Sequence, residues 1–165
     1  MAKLVDISLT GDKRLQRKLN RLPVVVQRKI VRRAAREAMR PVLATAKQLA
    51  PVLQGGGPPE RVPGLMRDTI KIKALKPSTW QKKRHTFGIV VCTAPREVLG
   101  IAPDDPYYYP AAVEFGHEAS GWYAGGPPVP AYPFMRPAMD QNRRTAINIF
   151  SQHVAAELLS EARRG

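Results

Sequence analysis

The chain is short of several things, and each shortage removes a class of protein. It has one cysteine, Cys92. One cysteine excludes an internal disulfide and leaves no cysteine pair for a metal site. No apolar run approaches the ~18 residues that a membrane-spanning helix requires. The opening Met1-Ala2-Lys3-Leu4-Val5-Asp6 lacks the apolar stretch and cleavage site of a secretory signal, so a cytoplasmic start is expected. Acidic residues are scarce: 13 Asp and Glu stand against 27 Lys and Arg, a net charge of +14 on 165 residues. That length is suited to a single domain over 1–165, and 44% apolar residues suffice for a packed core.

Catalytic patterns are also missing. There is no GxSxG nucleophile turn. Gly55-Gly56-Gly57 is followed by Pro58-Pro59 rather than by the Lys-Ser/Thr of a phosphate-binding loop. His85, His117 and His153 are not paired at metal-ligand spacing. His117-Glu118 begins like a zinc-protease motif, but position 121 is Gly121. Asp104-Asp105 lacks the further carboxylates of a calcium loop. Zinc-finger spacing and the aromatic motif of RNA-binding sheets are absent as well. The expectation is a protein without catalytic residues, metal or cofactor.

What is present is charge and proline, both unevenly placed. Residues 1–50 hold 13 Lys and Arg against 3 Asp and Glu, a net +10, whereas 51–133 and 134–165 carry +2 each. Such a concentration favours a polyanion or an acidic partner. Nine of the 16 prolines fall between Pro95 and Pro137, and four between Pro51 and Pro63. Proline has no amide donor and stops helices and central strands, so these regions read as loops or extended arms.

Alternation over Lys3–Thr10 predicts a strand, and Asp12 is placed to cap a helix over Lys13–Leu22. Pro23 suits the start of the next helix. Its apolar stripe is Val26, Ile30, Ala34, Ala38, Val42, Ala46 and Leu49, widened by Val31, Ala35, Met39 and Leu43. Arg28, Arg32, Arg36 and Arg40 recur at i, i+4, with Lys29 and Arg33 beside them. Like charges at that spacing repel, so a sequence that keeps them suggests a stripe for meeting something acidic. Pro41 is expected to kink this helix. Thr69–Ala74 and Trp80–Thr93 read as strands, with Cys92 a small hydrophobe in the second and Lys82-Lys83-Arg84 a further basic cluster. Tyr107–Phe115 fits a short strand or a helical turn. His117–Pro133 reads as a loop, and a last helix runs from Arg136 or Pro137 to about Ala162, burying Ile147, Phe150, Val154 and Leu158. The fold class is α+β: a small antiparallel sheet against a long kinked helix and a C-terminal helix, with long Pro/Gly-rich loops.

Four segments carry a resemblance. Ala44-Thr45-Ala46-Lys47-Gln48-Leu49-Ala50-Pro51 precedes Leu65-Met66-Arg67-Asp68-Thr69-Ile70. Val113-Glu114-Phe115-Gly116 precedes Pro133-Phe134-Met135-Arg136-Pro137-Ala138. In order and spacing they resemble the tail-completion, or head-to-tail joining, family of long-tailed bacteriophages. The motif residues are Ala46, Lys47, Ala50, Pro51, Glu114, Phe115, Gly116, Pro133, Phe134, Arg136 and Pro137. Two stretches, 52–64 and 117–133, are longer than the family pattern. From the residues themselves, Phe115 is expected in the core, Gly116 in a turn with positive φ, and Phe134 and Pro137 at the entry to the last helix.

The resemblance implies a non-enzymatic virion part at the neck, assembled in the host cytoplasm into a ring of its own copies, a hexamer being favoured. Its neighbours would be connector, stopper, tail-terminator or tail-tube proteins. The stripe Arg28, Arg32, Arg33, Arg36 and Arg40 would face acidic neighbours or the DNA in the channel. Tyr107, Tyr108, Tyr109, Trp122, Tyr123 and Tyr132 are candidate interface anchors. The rival reading, a small basic protein that binds nucleic acid without sequence preference, rests on the charge alone.

Overall fold

The computed structural model describes Lys13, Arg17 and residues 20–52, 62–75, 88–104, 107–118 and 125–163. The expected first strand, the Asp12 cap, the cluster Lys82-Lys83-Arg84, and the side chains of Trp122 and Tyr123 lie outside them, as do most of the longer 52–64 stretch and part of 117–133. Lys13, Arg17 and Asn20 are helical. The elements in order are α1 (Val24–Ala38), α2 (Arg40–Leu49), α3 (Leu65–Asp68), β1 (Lys71–Ala74), β2 (Ile89–Cys92), α4 (Tyr109–Phe115) and α5 (Met135–Ala162). The protein is thus α+β, as its pattern predicts. Contacts group into two units, Met1–Ala38 with Arg144–Gly165, and Met39–Arg143.

In the first unit, Pro23 stands just before α1, where a missing amide costs nothing, and its carbonyl accepts the Gln27 N–H at 3.0 Å. Ile30 and Ala34 from α1 pack with Val154 and Leu158 from α5, flanked by Leu22, Val26 and Phe150. Ile30 and Ala34 belong to the predicted stripe of α1 and Val154 and Leu158 to the predicted face of the last helix, whereas Ile147 and Phe150 of that face are half-buried and Ala146 is buried beside Ile147. Arg33 and Glu157 pair at 3.4 Å across exposed surface, a contact of little energetic weight.

Between α1 and α2 the helix stops at Met39 and restarts at Arg40. Pro41 has no N–H to return to the carbonyl four residues earlier, and it sits in the first turn of α2 where none is needed. The apolar rhythm survives the interruption, since Ala38, Val42 and Ala46 are all buried. It ends differently from expectation. Leu49 is 41% exposed, while Ala50, four residues beyond Ala46, is buried in its stead. Spacing by four keeps Ala50 on the line of Val42 and Ala46, and Leu49 falls to the side.

The second unit is built on that line. Val42, Ala46 and Ala50 pack with Met66, Ile70, Phe134 and Ala138. β1 and β2 pair antiparallel, Lys71 opposite Cys92 and Ala74 opposite Ile89. The Leu75 N–H extends the ladder to the Gly88 carbonyl at 2.8 Å. The strands are shorter than the alternation predicts. Thr69 does not enter β1. Its hydroxyl bonds back to the carbonyls of Leu65 at 2.7 Å and Met66 at 3.1 Å, holding it to the end of α3. Among the described residues, the expected strand over Trp80–Thr93 is confined to Ile89–Cys92. Of Tyr107–Phe115, Tyr109–Phe115 is helix with Pro110 in its first turn, and Tyr108 before it is extended. No helix among the described residues is long and apolar enough to cross a membrane.

Because Ala46 is fully enclosed, Ala46→Leu is expected to destabilise the protein by about 1–3 kcal/mol through overpacking. Leu49→Ala, on the exposed side of the same helix, is expected to stay within about 0.5 kcal/mol. Urea denaturation followed by circular dichroism measures both.

Candidate functional site

The segments that stand out in the sequence are joined in space. Ala46 and Ala50 are core residues, and their small size lets α2 lie close to Phe134 and Ala138. Ala50 leaves helical geometry (φ −62°, ψ 122°), as a residue before proline should, and Pro51 ends the helix. Lys47 reaches from α2 to the carbonyl of Asp68 at 3.3 Å. It thereby ties the first motif segment to the second.

The stronger tie is Glu114. It is the buried charged residue among those described, at 5% exposure. Helix α5 begins with amide groups that have no partner inside the helix. Glu114 Oε2 accepts the N–H of Phe134 at 2.8 Å and of Met135 at 2.9 Å. Its Oε1 accepts the N–H of Arg136 at 3.1 Å and the Arg136 Nε at 3.0 Å. Arg136 Nη2 also donates to the backbone carbonyl of Glu114 at 2.9 Å. One carboxylate from α4 therefore satisfies the first turn of α5, where the helix dipole also favours negative charge. Burial pushes the Glu114 carboxyl up. The amides of Met135, Phe134 and Arg136, with the Arg136 side chain, outweigh it, so the carboxyl lies below its ordinary value.

The neighbours of Glu114 serve the same junction. Gly116 has φ 72°, and a Cβ there would stand 2.8 Å from the Val129 carbonyl oxygen and 3.0 Å from the Ala131 nitrogen. Only glycine meets both conditions. His117 and Val129 then exchange backbone hydrogen bonds at 3.1 and 2.8 Å, and the Tyr132 N–H bonds the Val113 carbonyl at 2.8 Å. Phe115 is not in the core as expected. It is 54% exposed, with the Arg136 guanidinium 4.9 Å from its ring centre. Glu114 takes the inward direction on this short helix, so its neighbour points outward against Arg136. Phe134 is buried directly before α5, and Pro137 sits in its first turn, where no amide partner is lost. Pro133 before them is exposed.

The aromatics divide by role. The Tyr108 hydroxyl donates to the Ala94 carbonyl at 2.8 Å and meets Thr93, and its ring lies under Arg96. With Tyr109 it packs on Ala94, Leu99 and Ile101. Tyr107 meets His117 edge-on, centroids 5.2 Å apart. Tyr132 is 64% exposed. Tyr107, Tyr109 and Tyr132 line a groove of about 560 Å³ with Pro51, Val52, Val62, Gly64, Met66, Ala112, Val113, His117, Val129 and Pro130. The groove is invisible to motif reading, because its walls come from four separate stretches of chain. Arg28, Arg32, Arg33, Arg36 and Arg40 are all exposed along α1 and the start of α2. Among the described residues no three His, Cys, Asp or Glu side chains gather as metal ligands.

A comparison with family models matches residues 13–116 to the HK97-gp10-like family, described as "Bacteriophage HK97-gp10, putative tail-component". The match spans most of the chain, and the chain belongs to this family of phage tail components. Comparison of this chain with the curated proteins and with the solved structures gave no match. The family region ends at Gly116, one residue past α4, so Glu114 lies inside it and the amides it holds lie beyond it.

Glu114→Ala is expected to cost about 2–3 kcal/mol, the scale of hydrogen bonds to a charged group left unmade. Since folding lowers the Glu114 pKa from 4.5, its contribution is complete above the unfolded value and declines as pH falls through the folded one. Wild-type stability should therefore drop below about pH 4.5 more steeply than that of Glu114→Gln, as read by thermal melts across pH. Gly116→Ala is expected to cost about 1–3 kcal/mol from the left-handed backbone and the closed space beside it, measured by the same melts.

Proposed function

We propose that this tail component works at the neck of the virion, where it completes the tail or joins it to the head, as a ring of identical subunits without catalytic activity. The observation that carries the reading is the ordered set of motif segments. They recur in the sequence as the tail-completion pattern, and in space they meet at one core and one carboxylate clamp. The family relation supports the class of protein, and the junction role is an inference by analogy from it. A ring uses two different faces of each subunit, closed by rotation. In this arrangement the exposed arginines of α1 meet acidic surfaces of neighbouring proteins. An arginine-lined channel would hold DNA rather than let it pass, which favours the protein partner.

Particles made without this chain are expected to yield filled heads and separate tails. Restoring it should rejoin them, and labelled chain should appear at the head–tail boundary by electron microscopy. Absence of the chain from intact particles would overturn the proposal. Tight duplex-DNA binding by the isolated chain, falling steeply with salt, would instead favour the nucleic-acid reading.

A further inference from the structure

We infer that the exposed proline segment 127–133 docks into an aromatic-lined groove on a different tail protein. The inference rests on the family relation, and on neither the neck reading nor the ring reading.

Residues 127–133 read Pro-Pro-Val-Pro-Ala-Tyr-Pro, without a charged side chain, and all of them are exposed. Proline fixes φ at about −65° and pushes the residue before it to extended backbone. That constrains Gly126, Val129 and Tyr132 as well as the prolines, and favours the polyproline helix with three residues per turn. The hydrogen bonds agree with that period. The Val129 N–H donates to the His117 carbonyl at 2.8 Å, and the Tyr132 N–H to the Val113 carbonyl at 2.8 Å. These amides are three residues apart, yet both turn toward α4 and the residues just after it. In a flat strand, with its period of two, amides three apart point to opposite sides. A threefold helix sets them on one side, and it sets Pro127, Pro130 and Pro133 in a row of their own.

The backbone selects the kind of partner. Strand addition needs amide donors at every second residue. The prolines have none, and the amides of Val129 and Tyr132 are bonded within the chain. At most the Ala131 amide is left, and it lies beside Gly116. The segment instead offers apolar rings and acceptors: among the described residues, no backbone amide bonds the Pro127, Pro128 or Pro130 carbonyl. Aromatic side chains with an indole or phenol donor satisfy both. The segment is also held in place before any partner arrives, at Val129, at Tyr132 and at the Phe134 amide bonded by Glu114. Docking therefore costs little ordering entropy. The described tyrosines of this chain are engaged elsewhere. The Tyr107 hydroxyl donates to the Glu118 carbonyl at 3.3 Å and that of Tyr108 to the Ala94 carbonyl at 2.8 Å. Tyr109 packs on the cluster of Ala94, Leu99 and Ile101, and Tyr132 belongs to the segment itself. The partner is accordingly a different protein.

The test uses complexes purified from phage-producing cells through an affinity tag on this chain, with Tyr132 replaced by the photo-crosslinking residue p-benzoylphenylalanine. Irradiation and peptide mass spectrometry are expected to join position 132 to a patch of Trp or Tyr residues on another tail protein. Alanine at those aromatic residues should remove the crosslink. Pro127→Ala should lower its yield roughly tenfold, as truncating an interface anchor does, whereas Pro128→Ala, off the row, should change it less than about twofold. Thermal melts matching the parent chain would show that both variants are folded, and the mapped crosslink is read independently of them. A crosslink to a second copy of this chain, or to a surface without aromatic residues, would overturn the inference. So would no crosslink, or equal losses from Pro127→Ala and Pro128→Ala. Each of these failures leaves the neck and ring readings standing, since those are tested by where the chain sits and by what its removal does.

Discussion

The second unit depends on a single carboxylate. A helix start leaves amide groups that must find partners, and a buried negative charge must find donors. Either demand alone is costly; at Glu114 each answers the other. Three successive amides at residues 134, 135 and 136 point at the two oxygens, and the Arg136 side chain completes the shell. The consequence is positional. With Glu114 facing inward, Phe115 must face outward, Gly116 must turn with positive φ, and Phe134 is drawn under the start of α5 against Ala46 and Ala50. Residues far apart in sequence thus have their directions set together.

That dependence explains which parts of the fold were legible in the sequence. The stripe of α1 and α2 could be read because helical packing repeats every three or four residues, and Ile30, Ala34, Ala38, Val42 and Ala46 obey it. The face of α5 could be read for the same reason. Pro41 signalled an interruption because its missing amide has one local effect. The short strands were harder. Alternation in Thr69–Ala74 continues smoothly through Thr69, and nothing in the sequence says that its hydroxyl turns back to Leu65 and Met66 instead of joining the sheet.

The candidate site was legible only as fragments. Glu114 and Arg136 stand out within recognisable segments, but their pairing across 22 residues is a tertiary fact with no periodic signal. Phe115 reads as core by hydrophobicity, the usual guide to burial, yet it is 54% exposed. On a helix of seven residues only one direction points inward, and the carboxylate occupies it. Of the groove, the sequence shows only Pro51, Tyr107, Tyr109 and Tyr132, and nothing that joins them. Its walls are single valines, prolines and tyrosines from separate stretches, each ordinary in its own neighbourhood. Charge is informative in a different way: +10 of the net +14 is concentrated in the first fifty residues.

The base of the 117–133 stretch is closed by backbone bonds and by the Glu114 carboxylate. His117 and Val129 pair reciprocally, Tyr132 bonds Val113, and Glu114 holds the residues just beyond. Whatever lies between His117 and Val129 is entered and left at one fixed point. Doubling the length of such an excursion adds only about 0.6 kcal/mol of closure entropy. The position is therefore a socket, at which evolution or an engineer can graft peptide of varied length and composition while the carboxylate clamp below it keeps its geometry.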